Sequence, residues 1–167
     1  MPIADRSEQR PTRFVLLYHE MPATVGRQNH WDLMLEAGSS LLTFQLLQLP
    51  QAVVAAGDEQ LVVQRLADHR LAYLEYEGEI SGQRGRVTRV AAGLAQRLPS
   101  PAARPRYELR GAHLSAEIEL NACPPGAHTR LRILGWQLQP AAGQLPQGDP
   151  APQGDPAPQE DPAPRED

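Results

Sequence analysis

Short runs of β-forming residues, separated by turn residues, constrain the fold of this chain most strongly. Nine such runs follow one another, at residues 13–19, 31–36, 41–47, 60–66, 73–77, 86–91, 106–110, 113–120 and 130–138. Gly, Pro, Asp and Asn dominate the intervals between them, as is typical of turns. The pattern predicts an all-β fold, a small antiparallel β-barrel. One or two short helices are expected, the first candidate at residues 50–56 and a second at 92–98.

The two ends of the chain are predicted to lie outside the folded domain. We expect a flexible N-terminus at residues 1–12, a barrel at 13–139 and a tail at 140–167. The tail repeats the hexapeptide PQGDPA and has almost no large apolar groups, so burial cannot offset the entropy of ordering it. A disordered, acidic, Pro-rich tail follows, with weak extended contacts to protein partners as its expected role.

Composition excludes several classes of function. Without the acidic tail the acids and arginines nearly balance, which excludes a strongly cationic nucleic-acid coat. The sequence contains no lysine, so no mechanism with a catalytic lysine applies. Cys123 is the only cysteine and cannot form an internal disulfide. With no signal peptide and no apolar run of membrane-spanning length, the sequence predicts a cytoplasmic monomer with no membrane contact.

The segment NHWDLMLE at residues 29–36 carries the first candidate for chemistry. On a β-strand, His30 and Asp32 point to the same face about 6 to 7 Å apart, near enough to share one divalent cation. His19 ends the preceding apolar run, where the rim of a barrel is expected. Two imidazoles and a carboxylate suit Mn²⁺, Fe²⁺ or Zn²⁺ and leave positions open for water or substrate. The alternative is an amphipathic strand whose polar face meets water.

A second candidate pair lies in ADHRLAYLEYEG, where Tyr73 follows His69 by four residues. These side chains can donate hydrogen bonds to a phosphate oxygen or transfer a proton. Alternatively, Tyr73 packs in the core while Asp68 and His69 form a polar turn. The sequence has no phosphate loop ending in Lys, no GxSxG elbow, no paired CxxC and no HExxH. P-loop hydrolysis and serine-type acyl transfer are therefore disfavoured.

The order of segments RFVLLYHE, NHWDLMLE, LLTFQL, ADHRLAYLEYEGEI and GQRGRVTRV closely resembles the 3′-phosphoesterase domain of bacterial DNA ligase D. The resemblance covers residues 13–138 and is strongest at HWDLxLE and DHxLxYxxxEG. It implies a small β-barrel that uses a divalent metal, typically manganese, to remove a 3′-terminal ribonucleoside and then a 3′-phosphate from a nucleic-acid end in DNA repair. His19, His30 and Asp32 correspond to the metal ligands of that family. His69 and Tyr73 correspond to its phosphate-contacting histidine and tyrosine.

The chain departs from the family where basic residues are expected to hold phosphate. Met34 replaces an arginine, Gln48 or a neighbour replaces a lysine, and Leu61 replaces a further basic residue. A charge-assisted contact to phosphate contributes about 1.5 to 3 kcal/mol, so losing several weakens catalysis unless other arginines substitute. Arg13 and Arg27 are the closest such candidates for phosphate binding.

Two other functions therefore stand beside a phosphoesterase. One is a catalytically silent metal-binding or scaffold barrel, favoured by the missing arginine and lysine. The other is a generic β-barrel whose short motifs match by accident. In that last case His19 is expected far from His30 and Asp32, since ligand bonds of about 2.0 to 2.2 Å cannot join distant groups.

Overall fold

The structure is a computed structural model that describes residues 10–50 and 59–139. The predicted disordered tail, most of the predicted N-terminal segment and most of the predicted helix at 50–56 lie outside the described residues. The first strand begins at Thr12, one residue before the predicted start of the barrel domain.

Antiparallel strands form nearly all of the regular structure. They are β1 (Thr12–Glu20), β2 (His30–Ala37), β3 (Ser40–Leu46), β4 (Glu59–Arg65), β5 (His69–Arg70), β6 (Gly78–Glu79), β7 (Arg86–Leu98), β8 (Arg106–Gly111), β9 (Leu114–Leu120) and β10 (His128–Leu138). Eight strands are ordered β1-β2-β3-β4-β10-β9-β8-β7, and β7 pairs back with β1. This closes the barrel and confirms the predicted fold.

The helical content of the described residues consists of two 3₁₀ turns, Ala23–Val25 and Leu71–Leu74. Both are far shorter than a membrane-spanning element, and no helix in residues 10–50 or 59–139 is long and apolar enough to cross a bilayer. The short strands β5 and β6 pair with β3 and β7 respectively, at the edge of the barrel wall.

The barrel has two apolar cores because part of its wall is covered on both sides. On β1, Phe14, Leu16 and Tyr18 pack in the barrel interior, whereas Val15 and Leu17 pack in a second cluster on the outer face. Strands buried on both faces read as continuous apolar runs, and this accounts for the unbroken FVLLY sequence.

Residues 66–85, here called the covering segment, form the outer layer. Tyr73, Leu74 and Ile80 of this segment pack against the outward-facing side chains of β1 and β2 in the second cluster. The covering segment thus turns one part of the outer wall into a buried surface, and the candidate site lies on this part.

Two predicted elements are wrong. Residues 92–98 are not a helix but belong to β7, where pairing with β1 on one side and β8 on the other overrides the helix propensity of alanine. A Cβ at Gly93 would lie 2.1 Å from the backbone oxygen of Arg110, so this strand pair needs a glycine. Residues 73–77 are not a strand, because Tyr73 and Leu74 are both buried against the barrel and a strand would point them to opposite faces.

Candidate metal centre

Antiparallel pairing of β1 and β2 brings the three predicted ligands together. His19 lies directly opposite His30, and Asp32 lies opposite Leu17. All three have the strand parity of the outward-facing residues of these strands, so they face the covering segment and not the barrel interior. Their exposed fractions are 4%, 7% and 2%. The site is therefore near the end of β1, as expected, but on the outer wall.

The distances between the donor atoms suit a shared cation. Asp32 Oδ2 lies 3.5 Å from Nδ1 of His19, and Asp32 Oδ1 lies 3.5 Å from Nε2 of His30. One donor atom from each residue can be chosen so that all lie within 4.8 Å of one another. These separations exceed ordinary hydrogen-bond lengths. Two bonds of about 2.1 Å to one tetrahedral ion separate their donor atoms by about 3.4 Å, so each of the two separations between Asp32 and a histidine is compatible with a shared ion.

Main-chain carbonyls fix which ring nitrogen of each histidine carries a hydrogen. His19 Nε2 lies 2.6 Å from the oxygen of Arg84, and His30 Nδ1 lies 3.1 Å from the oxygen of Gln28. A carbonyl oxygen only accepts, so these nitrogens donate. In neutral rings the lone pairs are then on the two nitrogens that face Asp32. Metal-ligating histidines are typically oriented in this way by a second hydrogen bond.

Asp32 supplies a buried negative charge that is incompletely satisfied by protein groups. Burial raises the pKa of Asp32, but the interactions with His30 and His19 lower it by more, so its pKa lies well below the usual range. Its Oδ1 atom is enclosed and accepts no hydrogen bond from the described residues. A buried oxygen of this kind requires a partner. The His19, His30 and Asp32 group can hold a metal ion, and the donor set fits one.

Gly85 allows the end of the covering segment to reach this site. Its φ is +89°, and a Cβ there would lie 1.9 Å from the backbone oxygen of Glu20. The close approach positions the carbonyl of Arg84 against His19. Arg84 and Gln28 cannot be recognised from the sequence, because they act through main-chain oxygens, which any residue type supplies. Gly85 is the one sequence signal that marks this approach.

His69 and Tyr73 are brought to each other by the covering segment. Their ring centroids lie 5.3 Å apart at an interplanar angle of 72°. His69 is buried opposite Leu41 of β3, and its Nδ1 donates to the oxygen of Ala67 at 2.8 Å. Tyr73 packs in the same outer cluster as Met34, which follows Asp32 on the same face of β2. The pair therefore lines the same covered wall as the candidate metal ligands.

The structure places Arg13 on the same outer face as the candidate metal ligands but far from them. Arg13 lies at the opposite end of β1 from His19, roughly 20 Å away along the strand. Its Nε and Nη2 atoms donate to the two carboxylate oxygens of Glu36 at 3.0 and 2.9 Å. This placement argues against the expected phosphate contact by Arg13. Arg27 is partly exposed in the loop that leads into His30.

The three positions where the family has basic residues, Met34, Gln48 and Leu61, lie in different parts of the structure. Met34 is 1% exposed and makes the wall beside Asp32 apolar. Leu61 packs in the barrel interior, so this position faces away from the metal centre. Gln48 is exposed after the end of β3. Of these three substitutions, the one at Met34 therefore bears directly on the site.

No protein-family model matches this chain, and no curated protein matches it. The fold and the metal-ligand geometry thus rest on the structure alone. The convergence of His19 with His30 and Asp32 counts against a generic barrel with accidental motifs, because that interpretation predicts scattered donors.

Proposed function

We propose that this chain is a divalent-metal-dependent phosphoesterase-like domain that acts on nucleic-acid 3′ ends in DNA repair, where it removes a 3′-phosphate or a 3′-ribonucleoside. The observation that carries the proposal is the buried trio of His19, His30 and Asp32, with both ring tautomers set by carbonyls. It is supported by the resemblance to the ligase D 3′-phosphoesterase domain, which assigns metal binding to the same three residues.

The resemblance to the ligase D domain implies Mn²⁺, and two imidazoles with one carboxylate also suit Zn²⁺ or another divalent ion. Such an ion supplies Lewis acidity toward a phosphoryl oxygen and lowers the pKa of a water molecule. Three protein donors would satisfy only part of the coordination of such an ion and would leave positions for substrate and water. His19, His30 and Asp32 would hold the ion, and the hydrogen bonds to the main-chain oxygens of Arg84 and Gln28 keep both rings in the binding tautomer.

His69 and Tyr73 are the proposed catalytic pair. Because Nδ1 of His69 donates to Ala67, Nε2 is the nitrogen at which this ring can gain or lose a proton. It donates a hydrogen bond to a phosphate oxygen or passes a proton to the leaving oxygen. The Tyr73 hydroxyl group stabilises the same phosphate by donation. Arg27, in the loop before His30, remains a proposed phosphate contact.

A second function, a catalytically silent metal-binding or scaffold barrel, is favoured by a specific observation. Every candidate ligand is less than 10% exposed, and the neighbouring Met34 is buried and apolar. A closed site with an apolar wall suits a structural ion as well as a catalytic one.

A 3′-phosphorylated primer incubated with the protein and Mn²⁺ tests the proposal. Wild-type protein is expected to release phosphate, and His30→Ala or Asp32→Asn is expected to lose at least about a hundredfold in rate because metal binding is lost. His128→Ala, which changes an exposed histidine at the start of β10, is the matched control and should behave like wild type. Activity that survives in the ligand variants would contradict the mechanism. Stoichiometric metal binding without phosphate release would favour the silent barrel.

A further inference from the structure

Arg89 lies on the same outer face of the barrel as the candidate metal centre. The β1–β7 pairing places it opposite Leu17, and the β1–β2 pairing places Asp32 opposite Leu17 on the other side. Arg89, Leu17 and Asp32 therefore form one row across three strands. Since neighbouring strands lie about 4.8 Å apart, roughly 10 Å separates the Cα atoms of Arg89 and Asp32. An extended arginine spans roughly 6 to 7 Å from Cα to its terminal nitrogens, so it covers most of that distance.

The guanidinium of Arg89 has no acceptor among the described residues. Its Nε atom is enclosed and makes no hydrogen bond, and the two terminal nitrogens form no ion pair within residues 10–50 and 59–139. The carboxylate of Glu77 contacts Arg89, but it accepts a hydrogen bond from the backbone N–H at 2.6 Å and not from the guanidinium group. Arg13, Arg65 and Arg106, in contrast, each pair with a carboxylate.

Arg89 is partly buried, and an enclosed nitrogen without an acceptor, such as its Nε, is costly to maintain and commonly marks a place for an anion. The neighbouring outward-facing positions on β1, β2 and β7 are apolar, namely Leu17, Met34 and Val87. Arg89 is therefore the cation that the strand register places in the row of Asp32. Its planar guanidinium group can bind two oxygens of a phosphate at once.

We infer that Arg89 binds non-bridging oxygens of the phosphate held at the metal centre and supplies the positive charge that Met34 lacks. This rests on the proposed function, since it assumes a phosphate ligand at that site. β1 lies between β2, which carries Met34, and β7, which carries Arg89. The guanidinium group of Arg89 therefore approaches the phosphate from the β7 side of His19 and not from the β2 side.

Binding of inorganic phosphate to the Mn²⁺-loaded protein, measured by equilibrium dialysis, tests this inference without depending on activity. Arg89→Gln and Arg89→Met both remove the charge, and the methionine keeps an apolar stem in the covered position. We expect either variant to bind phosphate about ten- to a hundredfold more weakly than wild type, with Mn²⁺ affinity unchanged. Arg130→Gln, which removes an arginine that contacts Gln60 on the wall formed by β4 and β10, is the control and should match wild type.

The outcomes separate this inference from the proposed function. Equal phosphate affinity in wild type and in an Arg89 variant that binds Mn²⁺ normally would overturn the role of Arg89 and leave the proposed function standing. An equal loss in Arg130→Gln would also overturn it, because the effect would then reflect net charge. Absence of phosphate binding by Mn²⁺-loaded wild type would overturn both. If one Arg89 variant no longer binds Mn²⁺, the phosphate affinity of the other variant decides the result.

Discussion

At the scale of single residues, the candidate site depends on main-chain oxygens as much as on its three ligands. Nε2 of His19 donates to Arg84, and Nδ1 of His30 donates to Gln28. These contacts decide which nitrogen faces Asp32 and therefore whether either ring can coordinate an ion. The residue that permits the first contact is Gly85, whose missing side chain lets the chain pass against the end of β1.

Gly85→Ala is expected to weaken metal binding by about ten- to a hundredfold, the range for loss of a partner that orients a ligand. An added Cβ would lie 1.9 Å from the oxygen of Glu20 and would push the carbonyl of Arg84 away from His19. Mn²⁺ titration followed by calorimetry measures the effect.

Gly126→Ala is a closely matched control for that experiment. Gly126 has a φ of +88°, almost the same as the +89° of Gly85, but no atom lies within 4 Å of its added Cβ. Both substitutions therefore carry similar backbone strain, and only Gly85→Ala disturbs the site. Equal metal affinities in the two variants would contradict the positioning role of Gly85.

At the scale of secondary-structure elements, the covering segment determines what lies over the metal ligands. Its 3₁₀ turn Leu71–Leu74 buries Tyr73 and Leu74 together, and β5 fixes His69 against β3. Tyr73 is 2% exposed, so its ring is part of the core whatever else it does. Packing and catalysis are separable, because only the second requires the hydroxyl group.

Tyr73→Phe is expected to lower the phosphoesterase rate at least about tenfold while the free energy of unfolding changes little, since the ring and its packing are kept. The rate on the 3′-phosphorylated primer and urea unfolding provide the two measurements. Tyr76→Phe removes a hydroxyl group from the same segment, where it donates to the oxygen of Glu79, and serves as the control. A Tyr73→Phe enzyme as fast as wild type would show that Tyr73 acts only by packing.

At the scale of the whole molecule, the metal centre joins neighbouring strands of the closed barrel, of which β1 and β7 are distant in the sequence. β1 pairs with both β2 and β7, and the site joins His19 of β1 to two ligands of β2, with the loop before β7 held against it. An ion bound here stabilises the folded chain because the unfolded chain does not assemble the trio.

Mn²⁺ at a hundred times its dissociation constant is expected to raise the free energy of unfolding by about 2.7 kcal/mol. The gain should fall as the pH is lowered, because metal binding requires deprotonated ligands. The pKa of Asp32 lies below its usual range, so this carboxylate stays ionised at mildly acidic pH. Urea unfolding with Mn²⁺ or with chelator measures it. A similar gain in Asp32→Asn, or one independent of pH, would contradict the assignment.

The sequence by itself determined the features that depend on local spacing. Turn residues between β-forming runs predicted the barrel, and the two-residue period of a strand predicted that His30 and Asp32 share a face. Both follow from the geometry of a few consecutive residues. The expected partnership of His69 and Tyr73 also lies within one short segment, and the structure places their rings together.

Only the tertiary structure decided what depends on pairing between distant segments. The register of β1 against β2 set His19 opposite His30, and the same register put Arg13 beside Glu36, with which it forms an ion pair. Pairing on both sides made residues 92–98 a strand. It also put Arg89 in the row of Asp32. The sequence specifies the chemistry of each side chain. Strand register and closure of the barrel are set by packing between segments that are separated in the sequence.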